Sequence, residues 1–374
     1  MRPKLLFLVN RVYLDKSLNE GGVRNCTEEY INLLSTRFEV IIFPVDYDKS
    51  LLYRVRIKLG LNIYNDYNPD TYRAKLYHEI QKNEIKFVFL NLANTMTFAP
   101  LIKSQFNHTV KIILCSHGNE SGDFLHHSFR FKHQQDWIHR IINPFIFARM
   151  IDREVNFRLL YLDMVLTISE IEEGVEKWLG AKNVFMVPRV LKNETVPWNP
   201  ISGRVGFLGD LSHRPNYDGI VSFCDAIIKS GNQTIELRLL GNPAHIGNKL
   251  AEKYSFVEYC GFIPDNRIAE EVGSWSLFLN LLFYYSRGVS TKLAKALSWG
   301  LPVLSTTYGN RGYNIPIGLL KSVETPSEMA ELAVKLLSDR SELEKMRSIS
   351  HALSKRNSDF NLIMVKLYPL FSKL

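Results

Sequence analysis

The sequence predicts an α/β chain built as two doubly wound domains with parallel sheets, on three observations. Continuous apolar runs, Lys4-Leu-Leu-Phe-Leu-Val-Asn10 and Leu277-Phe-Leu-Asn-Leu-Leu-Phe283, have the composition of parallel strands covered on both faces. Such runs alternate with polar loops and with helical apolar spacing, so strand, loop, helix and strand follow one another along the chain. Pro188, Pro197, Pro200 and Gly203 cluster in a polar stretch near the middle, which marks a linker. With 374 residues, each half is long enough for its own core.

In the first half, Lys4–Asn10 reads as the opening strand. A polar loop leads to Gly21-Gly22-Val23-Arg24, a helix is expected over Val23–Leu34, and a second strand over Glu39–Val45. From Tyr47 to Lys82 the pattern is less regular. Lys49, Arg54, Arg56 and Lys58 interleave with Leu51, Leu52, Val55, Ile57, Leu59 and Leu61. Two readings stand side by side for this segment: a face that lies on an anionic membrane, or an ordinary helix with a solvated basic edge. Strands over Lys86–Leu92 and Val110–Ser116 restore the rhythm, and the second runs into Ser116-His117-Gly118-Asn119-Glu120. His126–Arg158 has mostly helical spacing. Its His126, His127, His133 and His139 form no metal-binding pattern, so no metal is assigned. Asp163–Glu170 and Val184–Val187 supply the last strands of this half.

The second half begins Arg204-Val-Gly-Phe-Leu-Gly-Asp-Leu-Ser-His-Arg-Pro-Asn-Tyr-Asp218. A strand ends at Gly209 and Pro215 opens a helix. Gly209 removes a side chain where an anion would come close, and Arg214 can approach the same place. Strands over Ile235–Leu240 and Phe256–Tyr259 end at Gly241-Asn242-Pro243 and Gly261-Phe262-Ile263-Pro264-Asp265. After Leu277–Phe283 comes the most informative stretch, Arg287–Tyr313. Ser290 can cap a helix, Leu293, Ala294 and Leu297 form its apolar stripe, Gly300 and Pro302 stop it, and Val303–Thr306 is the next strand. The loop Tyr284–Ser290 therefore lies at the carboxyl end of a strand, where open α/β sheets bind ligands. The helix after it offers free N–H groups and a positive dipole end to an anion. Lys292, at that helix start, is unfavourable beside the dipole unless an anion is present. A strand near Leu319–Val323, helices over Ser327–Leu337 and Ser341–Ser354, and an amphipathic segment Phe360–Leu374 complete the chain.

Composition narrows the class. Forty-six basic against 38 acidic residues give a formal charge of +8, which suits anionic partners, while no nucleic-acid motif appears and none is expected to bind. The cysteines at 26, 115, 224 and 260 have no metal or C-x-x-C spacing and read as thiols of a reducing compartment. Leu5–Val9 is too short for a signal peptide, and no apolar run nears the roughly 20 residues that span a bilayer. A cytoplasmic protein is expected, with peripheral contact at the inner face of the plasma membrane allowed.

The segment Ala296-Leu297-Ser298-Trp299-Gly300-Leu301-Pro302-Val303, with Ser305-Thr306 and Gly309-Asn310-Arg311-Gly312 after it, resembles the donor-binding signature of retaining GT-B glycosyltransferases of family 4. Arg204–Asp218 resembles the start of the C-terminal domain in one subgroup of that family. The resemblance implies two facing Rossmann-like domains: 1–190 for the acceptor, a linker over 191–203, 204–356 for the nucleotide sugar, and a C-terminal crossover helix over 357–374 packing on the first domain. It implies retaining transfer of a hexosyl group from a nucleotide-sugar donor to a saccharide or glycolipid acceptor in bacterial surface polysaccharide synthesis, without metal or cofactor. His117, Lys292 and Arg214 take the catalytic places. Gly21, Gly22, Gly209, Arg287, Gly288, Val289, Ser290 and Lys295 take the donor-binding ones, and Gly261–Asp265 resembles the segment that cradles the donor base. One departure stands out: the family's two signature glutamates, with seven residues between them, are Arg287 and Lys295 here. A guanidinium at 287 is shaped to grip a sugar carboxylate, which suggests an acidic donor; the competing readings are that it turns outward or pairs with a protein acid. A catalytically degenerate binding subunit, or a nucleotide-sugar epimerase or hydrolase, are the alternative functions.

Overall fold

The computed structural model describes residues 2–15, 22–59, 63–130, 137–231, 234–313, 315–356 and 359–374. The chain divides into two compact units. Met1–Pro188, Ser286–Gly288 and Asp359–Leu374 form the first, Arg189–Tyr285 and Val289–Ser358 the second.

The first unit runs β1 (Lys4–Asn10), α1 (Gly22–Ser35), β2 (Glu39–Val45), α2 (Leu51–Lys58), α3 (Arg73–Lys82), β3 (Phe87–Asn91), α4 (Ala99–Phe106), β4 (Lys111–Cys115), α5 (Glu120–Arg130), α6 (Trp137–Leu160), β5 (Met164–Thr167), α7 (Glu170–Trp178) and β6 (Val184–Met186). Its strands lie in the order β2-β1-β3-β4-β5-β6, all parallel. Leu5 to Val9 are wholly buried, as a strand covered on both faces requires. Ser50 caps α2 and Ser169 caps α7.

The second unit runs β7 (Arg204–Leu208), α8 (Arg214–Ser230), β8 (Glu236–Leu240), α9 (Ala244–Lys253), β9 (Val257–Gly261), α10 (Asp265–Gly273), β10 (Leu277–Leu279), α11 (Thr291–Trp299), β11 (Val303–Thr306), β12 (Lys321–Val323), α12 (Pro326–Leu337) and α13 (Arg340–Arg356). Strand order is β12-β11-β10-β7-β8-β9, again parallel throughout. The chain builds outward from β7 through β8 to β9, then returns to the other side of β7 with β10. That reversal is a topological switch point, and the loops after β7 and β10 open beside it.

Two departures from the sequence pattern have physical causes. The apolar run Leu277–Phe283 leaves the ladder at Asn280, whose amide donates to Ser305 Oγ at 2.9 Å and accepts from Ser290 Oγ at 2.8 Å. The proline-rich stretch 191–203 is built into the second unit: Leu191, Val196 and Trp198 join its core, and the Trp198 indole donates to the Trp275 carbonyl at 2.7 Å. The last helix, α14 (Phe360–Phe371), belongs to the first unit, where the Phe38 ring meets Tyr368 and Phe371 at 5.6 and 5.8 Å.

Candidate active site

In the second unit the residues at the switch point converge on the start of α11. Ser290 caps the helix by accepting from the Leu293 N–H at 3.4 Å, and Gly300 ends it in the left-handed region. Asn280 holds the Ser290 hydroxyl. The Tyr313 hydroxyl donates to the Ser290 carbonyl and accepts from the Ala294 N–H at 3.0 Å. Three side chains, those of Asn280, Ser290 and Tyr313, thus fix the direction in which the helix presents its first turn. Lys292 projects from that turn across the end of β7. A Cβ on Gly209 would stand 3.2 Å from both Lys292 Cε and Asn216 Nδ2, so glycine is what admits the lysine there. Its ammonium lies 5.7 Å from the Phe207 ring centroid.

The electrostatics of this place favour an anion. Burial first, then the charge of Arg311, push the Lys292 ammonium down to about 7, with Asp210 opposing. Arg311 is itself buried, 3% exposed, with its guanidinium 5.3 Å from the Tyr285 ring and donating to the Tyr308 carbonyl. Two cations and a helix N-terminus at a switch point gain stability from bound negative charge.

Arg214, Lys295 and Val289 each meet other groups of the protein in the structure. Arg214 Nε donates to Asp218 at 2.9 Å, one turn along its own helix, and the Tyr284 hydroxyl reaches the same carboxylate at 2.9 Å. Lys295 is exposed and donates to Glu194 at 3.1 Å, over the Trp299 ring. Val289 is half-buried against the core of the second unit.

In the first unit, β4 delivers His117 at its carboxyl end. Thr27 donates to the Val23 carbonyl at 2.9 Å and accepts from the Asn91 amide at 3.0 Å, which turns the Asn91 oxygen to His117 Nε2, 3.0 Å away. This chain of donors assigns the proton to Nε2 and the lone pair to Nδ1. Tyr30 tilts its ring at 5.5 Å from the imidazole and donates to the Ser116 carbonyl at 3.1 Å. Gly22 opens the helix that carries Thr27 and Tyr30; Gly21 lies outside the described residues.

Ser286–Gly288 counts with the first unit, and Arg287 explains why. Its guanidinium pairs with Glu120 and, at 2.8 Å, with Asp123, and its N–H donates to Asp123 at 2.8 Å. Burial disfavours the charged form, but the two carboxylates overcome it and hold Arg287 above its ordinary range. The protein-acid pairing, and not a side chain free to grip a sugar carboxylate, is therefore what the structure holds. The Gly288 N–H is likewise donated to Glu172. A Cβ on Gly118, at φ +105°, would sit 2.5 Å from Arg287 Cβ and 2.8 Å from Gly288 N, so only glycine fits there. Arg287→Glu places a third carboxylate beside Glu120 and Asp123. It should destabilise the first unit by about 1–3 kcal/mol, between the limits for exposed and buried pairs. Denaturant unfolding with and without a compensating Glu120→Arg checks this; an unchanged midpoint in the single variant would mean that the cluster contributes nothing.

Asp123, Glu172 and Asn280 were missed by sequence reasoning. Asn280 carried a signal, a polar residue inside a buried apolar run; the two acids carried none. Arg311 stood inside the quoted motif with no sign of its burial. Among the described residues, no group of three or more His, Cys, Asp or Glu could hold a metal ion.

Comparison with known proteins adds a match over part of the second half and a fold. Residues 202–339 match the family model described as Glycosyl transferases group 1. Similar solved structures include Anabaena HepE in complex with UDP and glucose, 14% identical, with 99% of this chain and 100% of that one covered at a TM-score of 0.64. Sucrose-phosphate synthase of Thermosynechococcus elongatus is 15% identical, with 99% of both chains covered at 0.70. The lipopolysaccharide outer core galactosyltransferase WaaB is 14% identical, with 99% and 100% covered at 0.63. No curated protein matches by sequence. The chain has the GT-B fold class, two Rossmann-like domains with parallel sheets.

Proposed function

We propose that this chain is a glycosyltransferase that moves a hexosyl group from a nucleotide sugar to a hydroxyl of a saccharide or lipid-linked acceptor, in the assembly of a surface polysaccharide. The observation that carries the reading is Lys292, its ammonium pushed down to about 7 beside Arg311 at the capped start of α11. It falls within the segment matched by the glycosyltransferase family model. The UDP and glucose bound to HepE, and the lipopolysaccharide substrate class of WaaB, support the donor and the acceptor class.

The second unit would hold the nucleotide diphosphate. As the glycosidic bond to the leaving diphosphate breaks, negative charge grows on its oxygens, and Lys292, Arg311 and the N–H groups of α11 are already oriented toward such charge. They stabilise the transition state more than the ground state, without reorganising at the moment of reaction. Arg214 serves this role only by leaving Asp218. His117, with its lone pair on Nδ1, would accept a hydrogen bond from a donor-sugar hydroxyl. Retention of configuration and independence of metal are part of the proposal. So is work at the inner membrane face, where a lipid-linked acceptor is presented. A binding subunit without catalysis is the second reading, favoured by the protein carboxylates that occupy both Arg287 and Lys295.

Incubation with a panel of nucleotide sugars, with and without saccharide and lipid acceptors and with chelator, decides among these. Acceptor-dependent release of nucleoside diphosphate, with an α-configured product by NMR from an α-configured donor, is the expected result. Donor conversion without acceptor indicates an epimerase or hydrolase, and no turnover with donor binding intact indicates the binding subunit.

A further inference from the structure

We propose that Asn280 is a positioning residue of the anion site, tying the loop that carries Arg311 to the helix start that carries Lys292. This role rests on the diphosphate reading of the site and adds what sets the spacing of its two cations.

Asn280 is wholly buried in an otherwise apolar run, where an aliphatic side chain of similar volume would pack without an amide to satisfy. The amide instead makes two hydrogen bonds, in opposite directions. Its oxygen accepts from Ser290 Oγ at 2.8 Å, and Ser290 Oγ accepts from the Leu293 N–H in the first turn of α11. Its nitrogen donates to Ser305 Oγ, on β11, at 2.9 Å. Ser305 passes the hydrogen bond on to the Thr306 carbonyl at 3.2 Å. Thr306 Oγ1 donates to the Leu282 carbonyl at 2.5 Å and accepts from the Gly309 N–H at 3.0 Å. Ser305 and Thr306 are wholly buried and Ser290 nearly so, which shields these links from water.

The loop after β11 is seated on the same amide. A Cβ on Gly309 would collide with Asn280 Nδ2 and stand 2.7 Å from Ser305 Oγ, so the chain passes directly over the pair. Arg311 follows Gly309 by two residues, and Lys292 follows Ser290 by two. One buried side chain therefore holds both segments close to the cation that each presents. The charge of Arg311 is felt at Lys292, and Asp210, after β7, faces the same ammonium with the opposite sign. A misplacement of about 1 Å at a reacting site costs on the order of 100-fold in rate, which is the loss such a tie prevents.

NMR titration of isotope-labelled lysine side chains in the full chain, without ligand, tests the tie itself. The Lys292 signal is the one that Lys292→Ala removes. In wild type it should titrate at about 7. In Asn280→Ala it should titrate higher, toward the ordinary 10.5, because the Arg311 loop is released. Gly309→Ala pushes the same loop off the amide and should move the signal the same way. Adding Gly309→Ala to Asn280→Ala should change nothing further, since the space that the methyl needs is already open. UDP binding, measured by calorimetry, should weaken by roughly tenfold or more in Asn280→Ala. In that background Lys292→Ala should cost at least about tenfold less affinity than it costs in wild type. A Lys292 titration that neither variant moves, or an equal cost of Lys292→Ala in both backgrounds, would overturn the proposal and leave Asn280 a support of the fold alone. If Asn280→Ala fails to fold, the titration of Gly309→Ala decides the matter. A shifted titration in a chain whose wild type binds no UDP would keep the tie and refute the diphosphate reading instead.

Discussion

Replacing Lys292 with alanine should abolish most of the rise in melting temperature that a nucleoside diphosphate gives the wild-type chain. A ligand bound only to the folded state stabilises by mass action, so the shift reads affinity directly. Removing one partner of a desolvated charged pair weakens binding by about 2–5 kcal/mol, roughly 30- to several-thousand-fold. Without ligand the variant should be no less stable than wild type, because the side chain lost is one whose charge its surroundings already disfavour. Scanning fluorimetry over a range of UDP concentrations measures both effects. An equal shift in wild type and variant would remove Lys292 from the phosphate site.

The same lysine predicts a pH dependence. Its folded-state value, about 7, lies below its ordinary value of 10.5, so between those limits the unfolded chain binds more protons. The stability contribution is full above the ordinary lysine range and is lost as pH falls toward 7. A bound diphosphate acts in the opposite sense. It favours the ammonium, so binding takes up a proton above pH 7 and weakens as pH rises from there. Calorimetry in buffers of different ionisation enthalpy detects that proton, and Lys292→Ala should eliminate it.

Arg158→Met should produce the largest loss of stability in the first unit. Arg158 and Glu176 are both wholly buried and joined at 2.5 and 2.8 Å; the guanidinium also reaches the Asn119 side chain at 2.5 Å and the Glu154 carbonyl at 2.8 Å. Burial opposes its charge, but Glu176 and then Glu154 outweigh that and hold it above its ordinary range. Methionine leaves Glu176 buried and unpaired, a loss of about 3–5 kcal/mol, or roughly 6–20 °C for a unit of this size. Pairing it with Glu176→Leu should recover much of this, since an apolar pair of similar volume needs no desolvation of charge. Asn119 lies two residues after His117, so the single variant should also lower kcat more than it weakens UDP binding. A wild-type unfolding midpoint in Arg158→Met would contradict this account.

Most of the elements were legible because their signals are local. Lys4–Asn10 and Glu39–Val45 form strands as their apolar runs predict, and Ser290 and Gly300 bound α11 as capping chemistry requires. A strand covered on both faces, a capping hydroxyl and a left-handed glycine each act within a few residues. The position of Lys292 followed from the same reasoning, since a cation at a helix start needs an anion to justify it.

The partners of the basic residues were not legible. Arg287 meets Glu120 and Asp123 from more than 160 residues away, and Lys295 meets Glu194 from about 100. Arg311 is buried by Tyr285 and Tyr308, and Arg158 by Glu176. Helical spacing pointed to the helix that α6 forms from Trp137, but not to the apolar face of its first turns being left in water. By itself the sequence determined the strands, the caps, the chain order that places a ligand loop after β10, and the lysine at the start of α11. Only the tertiary structure decided which charges are neutralised, which loop residues join which unit, and which apolar face stays exposed. Backbone periodicity and capping arise from neighbours in sequence, whereas burial and ion pairing depend on groups that only the folded chain brings together.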